Sequence, residues 1–382
     1  MFPRLRFKKF DGDWEKTTIG AKSETVTSGS RDWAQYYSDS GDKFIRMTNL
    51  VRNGINLDLS DLRFVQLPVG SNEGKRTSLE KGDILISITA ELGKLGWIPE
   101  GLGTAYINQH TALVRMKNTL DSKFVAYALS TEKYNNKLNS LNDSGAKAGL
   151  NLGSIRSFEL TIPSKPEQTQ IASFLSVVDE KINQLTQKLE LLSQYKQGMM
   201  QKLFSQQIRF KADDGSEFLE WEELKFKDVI KIKYGKDHKK LDDGDIPVLG
   251  TGGIMRYVDS YLYEGESILI GRKGTIDKPR FISGKFWTVD TLFYTEIGEK
   301  ILPKFAFQQL LLVNWLNLNE ATGVPSLNTT SIGNIELKVP CLAEQTKIAN
   351  VLSAIDQKIE VVSKQIEQAK QWKKGLLQQM FI

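Results

Sequence analysis

Two short glycine-rich segments carry the side chains best suited to holding an anion. Gly271-Arg272-Lys273-Gly274-Thr275 sets two cations between glycines whose backbone amides can point at a phosphate, and Gly250-Thr251-Gly252-Gly253 offers the same amides with one hydroxyl. Neither matches a nucleotide fingerprint. No G-x-x-x-x-G-K-[ST] stretch occurs, so nothing supports ATP hydrolysis by a P-loop. Glycines also permit tight turns between strands, and for Gly250 to Gly253 that reading weighs as much as anion binding. Arg272 and Lys273 tip the second segment towards a nucleic-acid phosphate. Nearby, residues 225 to 240 hold seven lysines.

Other chemistries lack their parts. An adenine methyltransferase of the usual kind grips its base with a Pro-Pro-aromatic motif, and none of the ten prolines adjoins another. Glu223-Leu224-Lys225 and Glu336-Leu337-Lys338 fit the acid-plus-lysine spacing of nucleases only loosely, and the second reads better as an exposed strand face. With Cys341, His110 and His238 as the whole stock of cysteine and histidine, neither a disulfide nor a Cys/His zinc cluster can be built. A carboxylate metal site stays open but unmotivated. Net charge is +5. Lys plus Arg against Asp plus Glu runs 21 to 17 over 1–154, 6 to 5 over 155–204, 17 to 19 over 205–331 and 7 to 5 over 332–382, so anion contacts must come from local clusters. No apolar run approaches the eighteen or so residues of a membrane span, and the stretch from Met1 to Arg6 is not a signal peptide. The expected location is cytoplasmic.

What must position these residues is a repeat. Residues 155–204 and 332–381 align without a gap at an offset of 177 (332 − 155) and share 20 of 50 residues, among them Glu167/Glu344, Gln168/Gln345, Asp179/Asp356 and Phe204/Phe381. In each copy apolar residues recur at spacings of four and three, including Leu175, Ile182 and Leu189 in the first and Leu352, Ile359 and Ile366 in the second, which is a coiled-coil seam. Each helix would run roughly 55 Å at about 1.5 Å per residue. Lys196 and Lys373 interrupt the seam at matching places. A polar seam residue can fix register, and a lysine can equally snorkel from a fraying end; the two readings stand even.

Fainter matches precede each helix, such as Arg6-Phe7-Lys8 with Arg209-Phe210-Lys211 and Leu150-Asn151 with Leu327-Asn328. Two globular domains of one fold therefore alternate with two nearly constant rods: 1–154, 155–206, 207–331 and 332–382. Short β-branched or aromatic runs at 44–48, 83–89, 111–116, 246–249, 267–271 and 288–295 read as strands, and 121–138 and 303–316 as helices, giving α+β domains with a mixed or antiparallel sheet.

The duplicated I-x-x-x-E-L-x-[IV]-P-x-x-x-E-Q-T-x-I-A segment, each time followed by a seam helix, resembles the specificity subunit of Type I restriction–modification systems. Segments 246–253, 267–275 and 286–291 are similar to those of its target-recognition domains, as are Gly82 to Ser87 and Ile107 to His110 in the first half. The resemblance covers the whole chain. It implies two homologous target-recognition domains separated by two long antiparallel coiled-coil helices with a pseudo-twofold axis. It also implies a non-catalytic chain that reads a bipartite double-stranded DNA site. Two modification (methyltransferase) subunits would bring S-adenosylmethionine and methylate adenine, with restriction subunits using ATP and Mg as a further, optional partner. No cofactor is expected on this chain.

Side chains on the domain loops would then touch base edges and phosphates. The candidates are Arg46, Asn49, Arg52, Thr89, Lys94, Asn108, Gln109, His110 and Lys147 in the first domain. In the second they are Tyr234, Lys236, His238, Lys239, Lys240, Thr251, Arg256, Arg272, Lys273, Thr275 and Asn328. Arg46 and Asn49 could instead serve a surface turn, His110 could be a satisfied buried histidine, and 236–240 could be a solvated loop. A different class of function, a scaffold carrying two ligand-binding domains on a coiled coil without DNA, would show the same repeat.

Overall fold

A computed structural model describes residues 3–141 and 149–381. The chain forms two compact units, one of residues 1–185 with 365–382 and the other of 186–364. This division differs from the one read along the sequence, because both long helices, Lys165–Phe204 and Leu342–Met380, contribute to both units. No helix among the described residues is long and apolar enough to cross a membrane.

In the first unit a four-stranded antiparallel sheet runs in the order Ser23–Ser28, Thr111–Met116, Ile84–Ser87, Leu95–Trp97. Ile84–Ser87 is buried along its whole length, which is why it reads as an unbroken apolar run rather than an alternating one. A second sheet contains Asp42–Ile45, antiparallel to Arg63–Val65 and parallel to Ala105–Ile107. The helix expected over 121–138 is two helices, Ser122–Ser130 and Glu132–Ser140. Extended Thr131 ends the first by donating its hydroxyl to the Ala128 carbonyl, then caps the second by accepting from the Tyr134 amide.

The second unit repeats the order: Ile230–Tyr234, Leu292–Ile297, Tyr263–Gly271 and Arg280–Thr288, continued by Ile246–Gly250 and Gly253–Val258. Ile246–Gly250 lies parallel to the end of Arg280–Thr288, as Asp42–Ile45 lies parallel to Ala105–Ile107. The strand expected at 288–295 is interrupted by a turn at Val289–Thr291, closed by the Leu292 amide on the Val289 carbonyl. The helix expected over 303–316 is Pro303–Leu310 followed by a short 3-10 turn, Trp315–Leu318.

In each unit an antiparallel strand pair, Glu15–Thr18 with Glu159–Ile162 or Glu222–Lys225 with Glu336–Val339, delivers the chain to a long helix. The Glu-Gln pair at the start of that helix is fully buried and explains its duplication. Glu167 receives Arg6 at 2.7 and 2.8 Å; Glu344 receives Arg209 at 3.2 and 3.0 Å and the Trp221 indole at 3.1 Å. The Gln168 amide donates to the Pro163 carbonyl and accepts from the Asp121 amide, where helix Ser122–Ser130 begins. Gln345 does the same with Pro340 and Leu302, ahead of Pro303–Leu310. The motif thus ties each long helix to the domain before it.

The seam lysines are resolved as well. In the first unit Lys373 pairs with Asp179 at 2.5 Å, and the same carboxylate accepts from the Tyr127 hydroxyl at 2.7 Å. In the second unit Lys196 pairs with Asp356 at 2.7 Å, which accepts from Gln308. Each lysine answers the aspartate of the other helix. Around these pairs Leu175, Val178 and Ile182 share a core with Leu376, Met380 and Phe381, while Met200 and Leu203 share one with Ile348, Leu352 and Ile355. Leu189 and Ile359 are half-buried and Ile366 is buried.

Candidate nucleic-acid interface

In the second unit four loops meet at a hollow of about 770 Å³, lined by Lys236–Lys239, Gly250–Met255 and Val289–Thr291, with the fourth loop, Gly271–Thr275, alongside. Backbone bonds hold the loops to one another: Lys236 N to Thr288 O at 2.8 Å, Val289 N to Leu249 O at 3.0 Å, and Arg272 N to Thr291 O at 2.8 Å. Gly235 makes the close approach possible, since a Cβ there would stand 2.0 Å from the Val289 carbonyl oxygen. Gly29 plays the same part in the first unit, 2.1 Å from the Ile107 oxygen. A glycine after the first sheet strand therefore seats the corresponding loop in both domains.

Seven of the sequence candidates converge here: Lys236, His238, Lys239, Thr251, Arg272, Lys273 and Thr275. The Arg272 guanidinium donates to the Asp290 carbonyl and lies 5.5 Å over the Tyr234 ring, which orients it without neutralising it. Among the described residues no carboxylate stands within 4.0 Å of the charged nitrogens of Lys236, Lys239, Lys240, Arg272 or Lys273. Asp237, also on the hollow, stays ionised because the Lys239 backbone amide and the nearby Lys239 charge hold its pKa below the ordinary aspartate value, so it offsets part of this positive charge without forming an ion pair. Ile254 and Met255, on the hairpin beside these cations, are 55% and 59% exposed. A hollow whose four loops hold more cations than carboxylates, next to a protruding apolar hairpin, suits the backbone and groove of a nucleic acid.

In the first unit Thr89, Asn108, Gln109 and His110 come together. The Gln109 amide nitrogen lies 3.0 Å from His110 Nε2, and His110 Nδ1 lies 2.8 Å from the Thr89 hydroxyl. Arg52 is exposed near Glu91, which also pairs with Lys94.

Several candidates have partners within the fold. Asn49 is 1% exposed and accepts from the Arg46 amide while donating to the Asp58 and Asp61 carbonyls, so it braces a turn and reads nothing. Arg46 pairs with Asp61, Lys94 with Glu91, and Arg256 with Asp243. Asn328 caps the helix Thr329–Gly333 through the Ser331 amide and donates to Glu320, so both ends of its amide have partners within the fold. Lys147 lies outside the described residues. Sequence reading missed Arg280, whose guanidinium donates to the Gly250 carbonyl, and Arg76, which donates to the Thr27 hydroxyl and the Ser28 carbonyl. Neither sits in a motif: Arg280 is brought to its loop by the pairing of its strand, and Arg76 by the short 3-10 turn Lys75–Thr77. No group of three His, Cys, Asp or Glu that could hold a metal ion exists among the described residues.

Residues 12–194 and 219–371 match a family model described as the Type I restriction modification DNA specificity domain. The putative type I restriction enzyme MjaX specificity subunit of Methanocaldococcus jannaschii is 26% identical, over 98% of this chain and 94% of that protein. The MjaVIII specificity subunit of the same organism is 28% identical over 57% of this chain, a match spanning 60% of that protein's length. The Type I restriction–modification S subunit from M. genitalium has the same fold, with a TM-score of 0.70 at 18% identity over 100% of this chain and 99% of that one.

Proposed function

The chain belongs to the Type I restriction–modification DNA specificity family, and from that membership we propose that its two globular domains each read one half of a bipartite double-stranded DNA site. The observation that carries this reading is the four-loop hollow of the second unit, where lysines and arginine stand without carboxylate partners. Arg6, Arg115 and Arg209, by contrast, are paired with Glu167, Asp83 and Glu344 and serve the fold. Phosphates would bind the lysines and Arg272 and set orientation; Thr251 and the exposed Ile254 and Met255 would meet base edges, an apolar side chain suiting the thymine methyl. In the first unit Gln109, Asn108 and Arg52 would do the reading.

The chain itself performs no bond-breaking step in this reading. Two modification subunits, matching the two repeats, hold S-adenosylmethionine and methylate adenine in each half-site, and restriction subunits with ATP and Mg cleave unmodified DNA. Mapping N6-methyladenine in host DNA with and without this chain tests the reading. Replacing 207–331 by the matching domain of a relative should change one half-site and leave the other intact. A folded chimera that alters or loses both halves would count against separate readers.

A further inference from the structure

Arg280 opens the strand Arg280–Thr288, opposite Leu269. It is half-buried, and its guanidinium ends on the carbonyl of Gly250, a residue of the hollow's wall. That carbonyl is its sole hydrogen-bond partner, and no carboxylate lies within ion-pair distance, among the described residues. Arg209 and Arg256, in the same unit, are partnered by Glu344 and Asp243. Burial without a counter-charge pulls the Arg280 pKa below the ordinary arginine value. A guanidinium has five N–H donors, and Gly250 occupies one Nη2 donor.

We propose that Arg280 is a seat for one phosphate of the DNA backbone, held ready by the Gly250 carbonyl at the wall of the four-loop hollow. A neutral base edge would satisfy the remaining donors but leave the half-buried charge uncompensated. A phosphate satisfies donors and charge together, where water is already partly excluded. Bracing by Gly250 fixes the fork before the anion arrives, so less side-chain freedom is lost on binding. The seat would also tie the strand's first residue to the hairpin that follows Gly250, coupling backbone grip to the element that enters the groove. This inference rests on the DNA-recognition reading of the second unit.

The test uses the full chain assembled with its modification subunits, titrated with a duplex carrying the mapped site and with a scrambled duplex between 50 and 200 mM salt. Arg280→Gln should weaken both by the same factor, on the order of tenfold. The slope of log affinity against log salt should become shallower by about 0.9. The methylated sequence should stay the same, and Arg280→Lys should restore most of the slope. A scan with single uncharged methylphosphonates needs only folded protein and Arg280→Lys. One phosphate whose neutralisation costs the wild type more than the lysine variant supports the seat, and none overturns it. An unchanged slope, or a changed base preference, overturns this inference alone. A wild-type assembly with no sequence preference overturns the DNA reading and this inference together.

Discussion

Single residues separate cations that hold the fold from cations left for a ligand. Arg6 and Arg209 occupy matching places, and each is spent on the buried glutamate of its Glu-Gln pair. At the glutamates the two sites differ in the tryptophan contact: Trp221 donates to Glu344, whereas the Trp14 indole nitrogen is buried without a partner. Glu344→Ala should therefore cost about 2–4 kcal/mol in urea unfolding, below the figure for a fully buried pair because Arg209 keeps an edge in water. Glu167→Ala should cost about 1 kcal/mol less. Equal losses would show that the indole bond contributes nothing. The arginine-to-glutamate chemistry was half legible: the Arg-Phe-Lys and Glu-Gln repeats stand out in the sequence, but 161 residues separate Arg6 from Glu167, and only the fold brings them together. Asn49 misled for a related reason, since an asparagine that closes a turn and one that reads a base have the same local neighbours.

At the scale of elements, the rods and most strands were legible because their periodicity is strong and repeated. The misses fall where a polar or β-branched residue ends an element without breaking its apolar pattern: Thr131 between two helices, and Val289–Thr291 inside what reads as one strand. The lysine in each seam could not be assigned from sequence, because its partner lies on the other helix. Asp179 and Lys373 now give a register test. Lys373→Ala should destabilise the first unit by about 2–3 kcal/mol by leaving a buried carboxylate with only the Tyr127 hydroxyl. The exchange Asp179→Lys with Lys373→Asp should recover part of the loss of Asp179→Lys alone, with a coupling of about 1–3 kcal/mol in a double-mutant cycle. Additive losses would mean that the pair does not set the register.

For the whole molecule the informative fact is how the repeat is shared between units. Residues 365–381 complete the first unit, and their counterparts by the offset of 177 are 188–204. Leu376 corresponds to Met199, Met380 to Leu203, Phe381 to Phe204 and Lys373 to Lys196, all changes that nearly conserve volume or charge. A fragment of residues 1–206 should therefore dimerise, each copy lending 188–204 to the other and making the Lys196–Asp179 pair twice. Such a dimer has true twofold symmetry and should direct methylation to an inverted repeat of the first half-site. Light scattering followed by methylation mapping checks both steps; a stable monomer, or a dimer marking a non-palindromic site, contradicts the duplicated-half model. The division of units was not legible in the sequence, where each rod follows its own domain without a break and nothing local shows that its far end serves the other one.

The sharing also sets an order of manufacture. Residues 365–381 leave the ribosome after all of 186–364, so the domain whose chain is made first waits for its last layer until the second domain has been synthesised. At about 5–20 residues per second, that interval is roughly ten to forty seconds. During it Phe124, Leu175 and Val178 lack the cover that Leu376, Met380 and Phe381 supply. A chain broken off within the second domain can obtain that cover only from 188–204 of a second copy. Which cover arrives first, the chain's own 365–381 or 188–204 of another copy, then decides between a completed single chain and a dimer of halves.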